Sequence, residues 1–266
     1  MNKSVFVFAV LLLAPMGSSG SDLPELPRDI EEWVRVLVPL RIQVPVTGLY
    51  GTEWTTELTA YNESSVLIVH GSPFVCNLGI PCPIPSRQEA DSLWSPYSSG
   101  IAGPNHGVLF YVERRVADSV WFALTLRERF SGETASIPVV REDDFFAGKT
   151  ALPDVPISTN HRVHLRIYDP FNEMDSLASI TIEDSVTREV LSRKTMMLDK
   201  APQSGPVSEF HRHPGFAEIG DLAGLLPEEY RGSVLVRITM NDERPFWTFI
   251  SLTDNATQDV TIITPQ

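Results

Sequence analysis

Two cysteines in 266 residues exclude a dense disulfide framework as the organising device of this chain. Long apolar runs are scarce as well. Val5–Leu13 is the longest, and nothing approaches the roughly 18 residues that a membrane-crossing helix requires. Basic residues number 21 against 34 acidic ones, a formal net charge of −13. A surface of that sign repels phosphate backbones, which excludes nucleic acid as a partner. Missing too are the G-x-S-x-G elbow, the H-E-x-x-H helix, the P-loop and the dinucleotide fingerprint. The sequence therefore marks no catalytic residue and implies no cofactor, and it leans away from an enzyme.

What is present begins with "MNKSVFVFAVLLLAPMGSSG". Lys3, the apolar run and the small residues ending at Gly20 have the three-part design of a secretory signal peptide over residues 1–20, so the mature chain is expected to be exported, periplasmic or extracellular, without a membrane span. Export bears on Cys76 and Cys82, which stand in "HGSPFVCNLGIPCPIP". A metal clip at this pair would need two further ligands, and only His70 stands nearby. The spacing is not the C-x-x-C of a redox centre. In an oxidising compartment the reading is a structural disulfide pinning one loop, worth about 2–2.5 kcal/mol if unstrained.

Apolar residues make up 42% of the chain and charged residues 21%, the composition of a packed globular protein. The pattern along it is β almost throughout. "TEWTTELTAYN" alternates Trp54, Thr56, Leu58 and Ala60 against Glu53, Thr55, Glu57 and Thr59, as a half-buried strand does. "GVLFYVERR", "VWFALTLRERF", "HRVHLRIYD", "LASITIED", "GSVLVRITMN" and "FWTFISLTDN" follow in the same style, separated by turn residues. Two of these stretches repeat. "LTAYN" at Leu58 returns as "LRIYD" at Leu165, and "WFALTLRE" at Trp121 returns as "WTFISLTD" at Trp247. Each W-strand follows a glycine-led strand, at Gly107 and at Gly232, in the same order. The expectation is an all-β chain of two tandem immunoglobulin-like β-sandwich domains. A lead-in spans 21–36, domain 1 with the cysteine loop spans 37–147, and domain 2 spans 148–266. The seam is placed around Ala147–Val155, where charge, Gly and Pro interrupt the strand pattern.

"RVLVPLRIQVPVTGLYGTEWTTELTAYNES", the two-cysteine loop, "IPVVREDDFF", "HRVHLRIYDP" and the terminal "FWTFISLTDNATQDVTIITPQ" together resemble a family of uncharacterised secreted bacterial proteins. The resemblance spans nearly the whole mature chain. It implies export and tandem β-sandwich structure, and it supplies no activity and no catalytic residue.

Candidate sites are few. His211 and His213 share a face if "EFHRHPG" is extended, the minimum for two metal ligands, but no third ligand is marked. Asp143–Asp144 lies in a charge run, and Asp254, Asn255 and Asp259 lack the regular spacing of a calcium loop. Trp121 and Trp247 carry more. In each copy an apolar row (Val120, Phe122, Leu124, Leu126; Phe246, Thr248, Ile250, Leu252) fills one strand face and leaves the tryptophan on the other. An indole on a more polar sheet face stacks flat ligands such as sugars, or packs against another protein surface. The expected role is an exported non-catalytic binding or adhesion-type protein, its partner a glycan, a cell-envelope component or a protein. The alternative is a hydrolase of extracellular polymer with its site between the domains.

Overall fold

The computed structural model describes residues 30–42, 44–48, 51–66, 68–70, 86–94, 107–171, 176–199 and 213–265. The expected signal peptide over residues 1–20, Cys76, Cys82 and His211 lie outside the described residues. Among the described residues, short 3₁₀ turns at Ile30–Glu32, Arg114–Ser119, Glu142–Asp144, Ala223–Leu225 and Asn241–Glu243 interrupt an otherwise all-β structure.

Among the described residues all pairings are antiparallel and fall into four sheets. The first runs β10 (Val140–Arg141), β1 (Trp33–Val38), β7 (Val108–Glu113), β4 (Ile68–His70), β5 (Ser86–Gln88). The second runs β2 (Val46–Thr47), β3 (Glu53–Asn62), β8 (Val120–Glu128), β9 (Thr134–Ile137), with β6 (Ser92–Trp94) also beside β3. The third runs β12 (Lys149–Ile157), β17 (Gly232–Met240), β14 (Ser176–Asp184), β15 (Val190–Leu198). The fourth runs β11 (Phe146–Ala147), β18 (Pro245–Asp254), β13 (His161–Asp169), β16 (Gly215–Ile219), with β19 (Val260–Ile263) on the far end of β18.

The repeated stretches become paired strands with one register. Tyr61 of β3 stands opposite Trp121 of β8, and Tyr168 of β13 stands opposite Trp247 of β18. The hairpins that follow the W-strands are also alike. Glu128 accepts from the amides of Phe130 and Ser131, and Gly132 is left-handed at φ 76°. Asp254 accepts from Ala256 and Thr257, and Gln258 is left-handed at φ 67°. The β14–β15 hairpin repeats the device with Asp184, Val186, Thr187 and Arg188. In each, a carboxylate at the strand end satisfies two turn amides that a five-residue reversal would otherwise leave open.

Two core clusters divide the burial. Residues of the third sheet and one face of the fourth form the C-terminal cluster, including Leu152, Leu165, Ile180, Val236 and Ile250. The first two sheets form the N-terminal cluster, but Tyr168, Phe216, Trp247 and Phe249 belong to it as well. The fourth sheet is thus buried on both faces: Phe246 and Ile250 point to one core, and Trp247 and Phe249 to the other. β1 and β7 are likewise buried along nearly their full length. Phe110 meets Phe122 of β8 across the N-terminal core, with ring centroids 6.4 Å apart. Arg35, on the alternate face, lies over the ring of Phe171, 4.4 Å from its centroid.

Two boundaries differ from the sequence reading. The first strand opens at Trp33, inside the expected lead-in 21–36, and Trp33 is buried. The expected seam around Ala147–Val155 is mostly β12 itself. Its Pro153 and left-handed Asp154 (φ 50°) form a bulge between Leu152 and Val155, and Pro156 follows opposite Ser233, on an edge strand where missing amide donors cost no ladder bond. Gly148, at φ 68°, is required because an added Cβ would sit 2.8 Å from the Glu243 Cα.

The hairpin carboxylates set an acid limit. Bonds from turn amides, Ser131 for Glu128 and Thr187 for Asp184, hold both groups down at about 2, and those from Thr257 and Ala256 lower Asp254. A carboxylate depressed in the folded state stabilises it above its unfolded value near 4, and that contribution is lost as pH falls toward about 2. Thermal melts are expected to hold steady from neutral pH to about 4 and then fall steeply. An Asp184→Asn, Asp254→Asn double variant should start lower and fall less; a parent–variant gap that stays constant down to acid pH contradicts this.

Candidate functional site

The outward face of the second sheet is built by alternation. On β3 and β8 the inward residues Thr56, Leu58, Ala60, Val120, Leu124 and Leu126 are buried, which forces Thr55, Glu57, Thr59, Tyr61, Trp121, Ala123, Thr125 and Arg127 outward. Register then lines up a row across three strands. Tyr61 lies between Leu93 of β6 and Trp121 of β8. Trp121 is 57% exposed and Leu93 69%. Along the strands the row gives way to polar groups, with Thr59 opposite Ala123, Glu57 opposite Thr125 and Thr55 opposite Arg127. Arg127 pairs with Glu57 at 3.6 Å, and Arg129 pairs with Glu53 at 2.7 Å. The result is an open sheet face with an aromatic and aliphatic strip beside hydroxyls and balanced charges, suited to stacking and to surface packing.

The second tryptophan has a different environment. Trp247 is 8% exposed, its indole stacked on Phe146 with centroids 5.0 Å apart and the planes 13° from parallel. Its strand neighbours complete a corresponding row, Phe216–Tyr168–Trp247, with Phe216 in the place of Leu93. Here the row is pressed against the first half of the chain. The Tyr168 hydroxyl donates to the Pro39 carbonyl, and its ring lies 3.2 Å from where a Gly107 Cβ would stand. The Trp247 Nε1–H finds no acceptor among the described residues. Trp247 therefore offers no open ring face to a ligand, and of the two tryptophans only Trp121 does.

His213 is buried, and its Nδ1–H donates to the Gly107 carbonyl at 3.1 Å, a contact between the halves. Among the described residues no group of three His, Cys, Asp or Glu is placed to hold a metal ion. Asp254 spends its Oδ1 on turn amides, and Asp259 accepts from Thr257. Glu142, beside Asp143 and Asp144, pairs with Arg35 and Arg114.

One cluster escaped the sequence reading. His164, Arg166, Glu218 and Ser251 share the face of the fourth sheet that carries Tyr168 and Trp247. The His164 Nε2–H donates to Glu218 at 3.0 Å, and Arg166 donates to Ser251 at 3.0 Å and to His164 Nδ1 at 3.4 Å. His164 Nδ1 is thus occupied by the guanidinium rather than by the Ser251 hydroxyl, so serine and imidazole are not joined as nucleophile and base. The signal lay in the alternation of His164, Arg166 and Tyr168 along one strand face, visible only once Glu218 and Ser251 are known to be neighbours.

No family model, curated protein or solved structure matches the chain. No helix among the described residues is long and apolar enough to cross a membrane.

The two tryptophans should respond oppositely to truncation. Trp247→Ala removes a buried, stacked indole and is expected to cost about 3–5 kcal/mol in urea unfolding. Trp121→Ala loses little beyond its cross-strand pairing with Tyr61 and is expected to cost less than about 1 kcal/mol. Equal costs at the two positions contradict this assignment.

Proposed function

We propose that the chain is an exported, non-catalytic binding or adhesion-type protein of two tandem immunoglobulin-like sandwiches, related to the secreted bacterial family it resembles. In this reading the second sheet's outward face is its recognition surface. The observation that carries it is the exposure of Trp121, more than half open to solvent beside Tyr61 and Leu93 on a face of threonines and paired charges. Monomeric surfaces scatter single apolar side chains, whereas an ordered row across neighbouring strands marks a contact surface. Support for the tandem arrangement comes from the matched registers of β3/β8 and β13/β18 and from the matched hairpins after β8 and β18. Tyr and Trp in such a row bring large area at low rotamer cost, as recognition surfaces favour.

The test uses the mature chain from Ser21 against immobilised glycans, envelope fractions and the protein itself, beside Trp121→Ala. Saturable binding that the substitution abolishes is expected, with the variant's melting curve unchanged. Binding that survives Trp121→Ala, or none to any surface, defeats the reading.

A further inference from the structure

The open row Leu93–Tyr61–Trp121 and the covered row Phe216–Tyr168–Trp247 hold corresponding places in their sheets, with the same cross-strand register, the same tyrosine and tryptophan, and leucine where the covered row has phenylalanine. The covered row is a protein-packing surface. Its ring contacts are Tyr168 with Phe216 at 5.2 Å, Tyr168 with Phe249 at 6.2 Å and Trp247 with Phe146 at 5.0 Å. We propose that the open row is a protein-packing surface as well, and that its occupant is a second copy of this chain, bound face to face about a two-fold axis passing beside Tyr61. The inference rests on the reading of this face as the recognition surface and names its partner.

Three observations favour a second copy. The row is self-complementary. Leu93 and Trp121 flank Tyr61 on neighbouring strands, each about 4.8 Å away along the hydrogen-bonding direction. A two-fold lying between the two sheets, along the strands and over Tyr61, lays the leucine of each copy on the indole of the other, at the ordinary spacing of about 10 Å between packed sheets. The face is also electrically balanced in a protein of net charge −13, because Glu57 and Glu53 are met by Arg127 and Arg129 of the same copy. The two-fold brings Glu57 of each copy near its counterpart, and the Arg127 ion pair within each copy offsets that approach. Finally, the chain already uses the corresponding row to hold two of its own sheets together. Ala123 stands where the covered face has Phe249, so the open face has less apolar area, which fits reversible association.

The experiment is sedimentation velocity of the mature chain across the micromolar to millimolar range, with Trp121→Ala and Leu93→Lys. Met197→Ala, on an exposed side chain of β15, serves as control. The expected result is a monomer–dimer equilibrium without larger species, tightened by added salt and weakened roughly tenfold or more by either row substitution. The control should leave it unchanged. A benzophenone side chain at position 121 should cross-link to the partner copy around Leu93. A monomer at every concentration, an open series of larger oligomers, or a dimer indifferent to both substitutions overturns the inference. If the chain is monomeric but still binds a glycan or envelope surface through Trp121, the two-fold contact is wrong and the recognition reading stands. If it is monomeric and Trp121→Ala alters no binding, both fail.

Discussion

Burial of Tyr168 and Trp247 against the first half of the chain is the contact on which the rest of the structure depends. An antiparallel sheet ordinarily buries one face and wets the other. Here β13, β16 and β18 bury both, because Val163, Leu165 and Ile167 point to one core while Tyr168, Phe216, Trp247 and Phe249 point to the other. The Tyr168 hydroxyl is well adapted to this place. Burial raises its pKa above the usual phenol range, so it stays a donor to the Pro39 carbonyl at any physiological pH. Gly107 meets the same ring, and a side chain there would meet both the Val38 carbonyl and the Tyr168 ring. To the apolar contact between the halves the Tyr168 hydroxyl and the His213 imidazole each add a hydrogen bond. Arg166 and His164 lie further along the same face, where His164 donates to Glu218 and Arg166 donates to Ser251 and to His164, while the Arg166 Nε–H finds no acceptor among the described residues and lies 3.9 Å from Glu218.

Much of this was legible from alternation. β3, β8, β13, β17 and β18 are long strands with one clearly apolar face, and their repeats foreshadowed the shared register. The short strands were not legible: β10 and β11 are two residues each, below the length at which alternation carries a signal. β12 was misleading because its two prolines look like a linker, whereas an edge strand tolerates them. The local pattern also placed both tryptophans on the face opposite the apolar row, and that placement is correct for both. It carried no information on what covers that face. Trp247 is covered by Phe146 and the N-terminal core, a contact between distant parts of the chain, while among the described residues nothing comparable lies over Trp121, which is 57% exposed. The hairpin carboxylates show the same limit. Asp254 stood out as a possible calcium ligand because its acidity was visible, but its bonds to the amides of Ala256 and Thr257 were not.

One surface design thus serves two ends of the molecule. In the C-terminal half it closes an internal interface, and in the N-terminal half it stays open beside Glu57, Arg127 and the threonines. The physical difference lies in the neighbouring residue along each W-strand, Phe249 in one and Ala123 in the other, and in the presence of Phe146 as a stacking partner. An aromatic row with a fixed counter-surface is structural; the same row without one is available for recognition.

The most direct measurement of that contrast is oxidative footprinting of tryptophan in dilute protein, read by mass spectrometry residue by residue. Trp121 is predicted to be modified rapidly and Trp247 to be protected until the protein unfolds. Comparable modification of the two in the native state, or protection of Trp121 at high dilution, would contradict the account.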